Sequence, residues 1–266
     1  MAAVLKAQGI EVVEIPQEKY KLLSVTGKNV VIHLVSLISS YQPDELVALQ
    51  DRYLAKGNNL IHLWEDVWIS RREQVIGRIR SLAGLNRRIH ARKTKIMIIS
   101  QLQADEFLYA NHVQGTARSK YRFALSIDQT IVSVACFSNL RKMSRNHSAE
   151  YRSAEVIRFA SMNGYTVTGG FTKLLKNFIL EYKPNDVMSY ADRDWSSGKV
   201  YEQAGFKLVS VSSPATIYVD RNSLVRYFPH RLPVSLVATD EKGSAQMDHT
   251  YIKIFNTGNL KYIYYL

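Results

Sequence analysis

Apolar residues in this chain fall into short runs broken by polar, glycine-bearing stretches, a pattern that predicts alternating strands and helices. Asn29–Ile38 is a Val- and Ile-rich run and reads as a strand, as do Ile10–Ile15 and Leu60–Trp64. Pro43-Asp44-Glu45 opens a helix to about Lys56, with acids in its first turn and Gly57 behind it. A second helix is predicted from a Ser70 cap to about Leu82. Glu73 stands at the capping-box position, Gly84 follows the end, and Val75, Ile76, Ile79 and Leu82 keep helical spacing. Strand-helix-strand-helix order favours a small α/β unit with a parallel pair.

A second region begins near Lys95. Its pattern predicts a strand at Ile96–Ser100, a helix at Ala104–Asn111, and a hairpin of Tyr121–Ile127 and Thr130–Phe137 about Asp128-Gln129. Ala154–Met162 is extended, and Phe171–Tyr182 is an amphipathic helix entered through Gly169-Gly170 and left before Pro184. Asp186–Ala191 is a strand, Ser197–Ala204 a helix, and Phe206–Val211 and Thr216–Val219 are strands. Residues 221–249 read as irregular, and the tail, Tyr251–Tyr265, as a hairpin about Thr257-Gly258-Asn259. The expected organisation is a module over 1–95 and a second over 96–266, both α/β.

Composition adds charge to this picture. The 266 residues are 46% hydrophobic and 22% charged, as in ordinary globular proteins. No apolar run reaches the ~18 residues of a membrane helix, and Met1–Lys6 lacks the apolar core of a signal peptide. The single cysteine, Cys136, excludes an intramolecular disulfide and a thiolate metal cluster. A reducing, cytoplasmic location is expected. The net charge is +12, and it is clustered: Arg71 to Lys95 holds nine Lys or Arg against Glu73 alone, and Arg118 to Arg152 seven against two acids. Such clusters point to a polyanion, with nucleic acid, and DNA in particular, as the expected partner. Arg71, Arg72, Arg87, Arg88, Arg92, Lys93 and Arg158 are the expected nucleic-acid contacts, with Asp192 or a substrate carboxylate as other partners for Arg158. Arg158, in the apolar segment Val156–Phe159, must be at an edge or paired, since burial alone is costly.

Candidate chemistry gathers around Tyr190–Phe206. An apolar run ends in Asp192-Arg193-Asp194, and a short helix carrying Tyr201 follows, stopped by Gly205-Phe206. Asp192 fits a general base, a substrate anchor or an N-cap; Asp194 fits a cap of the next helix. Tyr201 fits a proton donor or a core aromatic. His112, at a helix exit before Gly115, fits a base, a ligand or a base-edge contact, or a surface histidine favoured by the helix C-terminus. As ligands, His112, Asp192 and Tyr201 would suit an iron-type ion better than zinc, but their spacing defines no metal site. Thr168-Gly169-Gly170-Phe171-Thr172-Lys173 fits an anion cradle at a helix start, with Lys173 as a mobile charge, or a tight turn alone.

Three of these features carry a resemblance. The hairpin Tyr121–Phe137, the strand entering Gly169-Gly170, and Tyr190-Ala191-Asp192 followed by Gly198–Phe206 together resemble the phage Mom DNA-modification proteins. More loosely they resemble the GNAT acetyltransferase superfamily, over about Phe107–Val219. The resemblance implies a GNAT-like mixed sheet with flanking helices, to which the tail hairpin adds. It also implies an acyl-coenzyme A or other anionic donor bound by Thr168, Gly169, Gly170, Thr172 and Lys173. The usual coenzyme loop of that superfamily, Arg/Gln-x-x-Gly-x-Gly/Ala, is replaced here by Thr168–Lys173. Leu60–Trp68 with the basic helix behind it resembles the second half of very-short-patch-repair-type endonucleases, including phage homing enzymes. Asn29–Ser36, where that family would place its catalytic acid, has no carboxylate.

The expectation is therefore a GNAT-like transferase, of phage or mobile-element origin, that modifies a DNA base amine through Asp192, Tyr201 and His112. An amine in duplex DNA would need flipping. The alternatives are a non-catalytic DNA-binding protein derived from a homing endonuclease, or a nuclease using Glu65 and Asp66.

Overall fold

Two sets of buried apolar side chains organise the chain in the computed structural model, which describes residues 1–143, 150–232, 237–239, 245–247 and 250–266. The first set gathers α1 (Ala2–Ala7), β1 (Val12–Ile15), β2 (Lys21–Val25), β3 (Val30–Val35), α2 (Pro43–Ala55), β4 (Asn59–Trp64), α3 (Glu65–Ser70) and α4 (Arg72–Leu82). The strands form a sheet in the order β1-β2-β3-β4. β3 and β4 are the expected parallel pair, with Val31 opposite Leu60 and Leu34 opposite Leu63. Their Val, Ile and Leu side chains are buried on both faces, which is why these strands read as continuous apolar runs. Ser70 does not cap the basic helix. It ends α3, and its hydroxyl bonds back to the Asp66 carbonyl at 2.7 Å, so the helical pattern breaks at Arg71.

The rest runs β5 (Arg87–His90), β6 (Lys95–Ile98), α5 (Gln101–Asn111), β7 (Tyr121–Ile127), β8 (Thr130–Phe137), β9 (Arg141–Lys142), β10 (Arg152–Ser161), β11 (Tyr165–Thr168), α6 (Gly170–Tyr182), β12 (Asp186–Asp192), α7 (Lys199–Gln203) and β13 (Lys207–Val211). Then come β14 (Thr216–Asp220), β15 (Arg226–Tyr227), β16 (Val237–Thr239), β17 (Ala245–Met247), β18 (Tyr251–Phe255) and β19 (Asn259–Tyr265). A mixed 8-stranded sheet has the path β13-β19-β12-β10-β8-β7-β6, with β9 alongside β10. The β7–β8 hairpin turns at Asp128 and Gln129, both at positive φ, as a two-residue hairpin loop of the primed kind requires. α6 lies on this sheet through Phe171, Leu174, Leu175 and Phe178, and Phe178 stacks on Phe137 at 4.1 Å. The fold class is therefore mixed α/β with flanking helices.

Two features of this sheet shape the site. β10 and β12 run parallel, but they pair only from Ser153–Asp186 to Val156–Ser189. β10 then bends at a register shift between Val156 and Arg158 and follows β8, while β12 follows β19 to Asp192. The two central strands part, and a cleft opens between them. The second feature is the tail, which is not a hairpin. β18 pairs with β14, and β19 inserts between β12 and β13. The turn at Thr257-Gly258 carries the chain from one sheet to the other. The core of the first unit continues across this junction, taking in Trp195, Ile217, Val219 and Ile254.

Gly258 has φ +89°, and a Cβ there would lie 2.2 Å from the Ser212 carbonyl oxygen. Gly258→Ala therefore combines left-handed strain with a backbone clash, each costing about 1–3 kcal/mol. Urea unfolding of Gly258→Ala should show a loss of at least ~2 kcal/mol; an unchanged midpoint would remove this turn from the stability of the junction.

Candidate functional site

The parting of β10 and β12 produces a cavity of about 600 Å³. Asp192, Tyr201 and His112 all line it, as do Thr168, Gly169, Gly170 and Thr172. Residues far apart in sequence thus share one space. The first unit supplies another wall, through Gly77, Arg78 and Ser81 of α4 and through Asn86 and Arg88.

Asp192 ends β12 and is half-buried. Gln114 Nε2 donates to its Oδ2 at 2.8 Å, and the Asp194 N–H donates to Oδ1 at 3.0 Å. Burial, with the nearby Asp194 carboxylate second, raises the Asp192 pKa far above the ordinary carboxylate value. Asp194 does not cap α7. It is buried, and its Oδ1 accepts from the Thr257 N–H at 2.9 Å and from Thr257 Oγ1 at 2.6 Å. Its carbonyl accepts the His62 N–H at 2.9 Å. The turn that aims Asp192 is thus tied to β4 on one side and to the Thr257 crossover on the other.

Tyr201 is held by rings: Phe171 edge-on at 5.6 Å, Phe206 at 5.5 Å and Tyr262 stacked at 5.4 Å. Ser189 Oγ lies 3.0 Å from both Tyr201 Oη and the Val156 carbonyl oxygen. A carbonyl only accepts, so the serine proton goes to Val156 and the phenol donates to Ser189 Oγ. Burial raises the Tyr201 pKa, so the phenol keeps its proton at neutral pH.

His112 follows α5, and its Nδ1 accepts the Gln114 N–H at 3.1 Å. The neutral ring therefore carries its proton on Nε2. Burial, then the charges of Arg158 and Arg78, push its pKa down to about 3, which makes it a neutral donor rather than a base.

At the other end of the cavity, Gly169 caps α6 in the left-handed conformation, φ +76°. The first intrahelical bond is Lys173 N–H to Gly169 O at 2.9 Å, so the N–H groups of Gly170, Phe171 and Thr172 precede it. No acid lies in this first turn. A Cβ at Gly170 would lie 2.9 Å from Val167 Cγ1 and 3.2 Å from Leu125 Cδ1. Lys173 is not a mobile charge over this loop. Its Nζ donates to the Ala91 carbonyl at 2.9 Å and to the Thr94 carbonyl at 2.5 Å, and it does not line the cavity. The cradle is made by backbone.

The expected phosphate contacts separate into groups. Arg72, Arg87, Arg88, Arg92 and Lys93 are exposed. Arg87–His90 is β5, parallel to β11, so the basic stretch leads straight to the cradle. Arg71 lies over the Tyr109 ring at 4.7 Å and Arg72 over Trp68 at 5.2 Å. Arg158 is not at a sheet edge, and among the described residues it has no ion-pair partner: it belongs to the central strand β10 and lines the cavity. Arg78, on the basic helix α4, is also part of that wall.

The nuclease-like carboxylates are engaged elsewhere. Asp66 is buried and takes two bonds from Arg226, at 2.6 and 2.9 Å, while Glu65 accepts from Ser36 Oγ and the Leu37 N–H. Beside them β3 and β4 bring His33 and His62 together, Nδ1 to Nδ1 at 2.9 Å, both with pKa lowered to about 3, mainly by burial. Among the described residues no group of three or more His, Cys, Asp or Glu side chains is arranged to hold a metal ion. No described helix is long and apolar enough to cross a membrane.

No protein-family model matches the chain, and no curated protein matches it. Solved structures similar to it include a GNAT family acetyltransferase from Elizabethkingia anophelis with acetyl-CoA bound, at 13% identity. The similarity covers 65% of this chain and 99% of that one, with a TM-score of 0.36. A Bacillus subtilis acetyltransferase in complex with CoA is 12% identical over 65% and 99% of the two chains, TM-score 0.38. The ribosomal-protein-S18-alanine N-acetyltransferase from Escherichia coli is 10% identical over 64% and 92%, TM-score 0.37.

The raised pKa of Asp192 has a measurable sign. A carboxyl group whose folded pKa exceeds its unfolded value contributes stability at acid pH that is lost as pH rises through the folded pKa. Between pH 4 and pH 8 the buried histidines of lowered pKa add stability to both proteins alike as pH rises, so the difference carries the test: the stability to urea of the wild type relative to Asp192→Asn should fall as pH rises to about 7. Parallel pH profiles would show the Asp192 carboxylate to be unstrained.

Proposed function

We propose that this chain is a GNAT-like transferase that moves an acyl group from an acyl-coenzyme A donor to an amine, with a nucleic-acid base amine as the acceptor. One observation carries the reading. The gap between two parting parallel strands, a glycine-freed helix start, a carboxylate of raised pKa and a protonated phenol all open into one cavity.

The donor fits the residues present. The α6 start offers free N–H groups and the positive end of a 13-residue helix, with no acid nearby, which suits a pyrophosphate. Where β10 and β12 separate, each strand presents backbone groups to the gap. An amide-bearing chain lying there can pair with them as an added strand does. Gly169, Gly170 and Thr172 would hold the phosphates through backbone, in place of the lysine expected from sequence.

When bound, a thioester supplies an activated acyl group and a thiolate leaving group. The chain's own residues then manage protons. Asp192, with its pKa raised and its two oxygens oriented by Gln114 and the Asp194 N–H, accepts a proton from the attacking amine. Tyr201 keeps its proton at neutral pH, held on Ser189 Oγ; rotation of the phenol O–H away from Ser189 would turn that proton to the leaving sulfur. His112, neutral and with Nδ1 already engaged, donates from Nε2 to the acceptor.

The acceptor class rests on charge. The exposed Arg87, Arg88, Arg92 and Lys93 form a phosphate-binding edge that reaches the cavity through Arg88. A cavity of about 600 Å³ takes a single base only once it has left the duplex stack. The resemblance of Tyr190–Asp192 and Gly198–Phe206 to Mom-like DNA-modification proteins belongs to this proposal.

Mass spectrometry of nucleosides from cells expressing the chain tests it, and a new acylated nucleoside is expected. Asp192→Ala should abolish its formation while the protein keeps its melting temperature within a few degrees. Tyr201→Phe should slow turnover by about 10²-fold or more. Gly170→Ala should weaken acetyl-coenzyme A binding in calorimetry without touching the acceptor end. Full activity in Asp192→Ala would sink the assignment of the base. A wild-type chain that binds no acyl-coenzyme A and leaves nucleosides unmodified would be a positively charged binding protein only.

A further inference from the structure

We propose that Arg78 and Arg158 form an oxyanion-binding subsite that grips a carboxylate or phosphate group of the acceptor beside His112. This deepens the transferase reading and rests on it for what the bound group belongs to.

The two arginines reach the cavity from different units. Arg78 comes from α4, and Arg158 from β10 just past its bend. Neither has an ion-pair partner within 4.0 Å among the described residues, whereas Arg193 pairs with Asp51 and Arg226 with Asp66. Arg78 donates to the Trp195 carbonyl at 3.3 Å and Arg158 to the Ile157 carbonyl at 2.8 Å. Each guanidinium has five N–H groups, so most of the donors are left over, and Arg158 Nε is buried without any partner. Burial lowers the pKa of both arginines, the direction expected for cations short of compensation. A fold that keeps two such groups facing one space retains a cost that an anionic ligand would offset.

The cavity's own anion, Asp192, offsets it only in part. Among the described residues three arginines line the cavity, Arg78, Arg88 and Arg158, against one carboxylate, Asp192. Both Asp192 oxygens already accept N–H groups from Gln114 and Asp194. The position of the pair is also informative. Both guanidinium charges depress the pKa of His112, so they stand at the acceptor end. Arg88 instead lies opposite Thr166 in the β5–β11 pair, on the approach to the glycine cradle. The pair beside His112 is therefore distinct from the basic β5 edge, which enters the cavity at Arg88. Planar guanidinium forks suit two-oxygen recognition of carboxylate or phosphate. Such a group is present both in a phosphodiester flanking the acceptor base and in a free small anion.

The full-length chain is titrated with inorganic phosphate, with acetate, with a single-stranded tetranucleotide and with its methylphosphonate counterpart. Calorimetry and thermal shift are used, with and without saturating coenzyme A. Phosphate should bind the wild type and Lys207→Gln alike, and should still bind when coenzyme A is present. Arg78→Met and Arg158→Met should weaken it about tenfold or more, yet melt at the same or a higher temperature, because each removes an uncompensated buried charge. Should either Met variant fail to fold, Arg78→Lys and Arg158→Lys keep the charge, lose the fork, and should weaken binding severalfold. Competition by the tetranucleotide but not by its methylphosphonate form would place the anion in the nucleic acid. Binding of phosphate or acetate without such competition would place it in a free small molecule. The proposal is overturned if neither phosphate nor acetate binds, if the arginine variants bind as the wild type does, or if coenzyme A displaces the phosphate. Failure of coenzyme A to bind the wild type would remove the transferase reading while leaving the phosphate result to stand alone.

Discussion

The geometry of the cavity depends on one buried carboxylate, Asp194. Its side chain takes two donors from Thr257, its carbonyl takes the His62 N–H, and its own N–H holds Asp192. A buried carboxylate is tolerated only when it is hydrogen-bonded this fully. The same residue thus joins the first unit, the crossover between the two tail strands and the end of β12. Gln50 reinforces the join by donating to the Arg193 carbonyl, and Arg193 by pairing with Asp51 at 2.8 Å. Loosening Asp194 would free the residue that supplies the carboxylate to the site, so stability and function are coupled at this turn.

The first unit is consequently more than a basic appendage. Its strands carry no free carboxylate pair, since Asp66 is held by Arg226 and the strand pair presents two neutral histidines instead. What it contributes is a wall: α4 lines the cavity through Gly77, Arg78 and Ser81. An opening between two strands holds a ligand along its length but leaves it exposed on one side. A second packed unit excludes water there, which strengthens every charge interaction inside.

Much of this was legible in the chain, because the signals were local. Asp128-Gln129 between two apolar runs gives a hairpin, Gly169-Gly170 gives a helix start, and the run into Asp192 places a carboxylate at a strand end. What was not legible depended on long-range choices. Gly258 marks a sharp turn, and a turn between two apolar runs reads as a hairpin; here both runs had better partners, β14 for one and the β12–β13 gap for the other. Lys173 beside two glycines resembles a phosphate ligand until the carbonyls of Ala91 and Thr94 are seen to take its ammonium group. Arg78 has the spacing of a solvent-facing helical residue, and only the approach of a second unit turns that face inward. Arg158 alone gave warning, as a charge inside an apolar run.

The electrostatics of the site follow from that same inward charge. Burial first, and then the two guanidinium groups nearby, keep the His112 imidazole neutral, so histidine, the usual base at neutral pH, is unavailable for that role here. Asp192 is moved the other way, because burial and Asp194 outweigh the hydrogen bonds that favour its ionised form. One environment therefore pushes a histidine below, and a carboxylate above, its ordinary range, and the carboxylate becomes the group suited to accept a proton. The arginines favour an ionised Asp192, yet they are not bonded to it, so its pKa stays raised. An anion bound between them would weaken their pull on Asp192 further and raise its basicity. An acceptor anion held there, as proposed, would tune the carboxylate proposed to activate it.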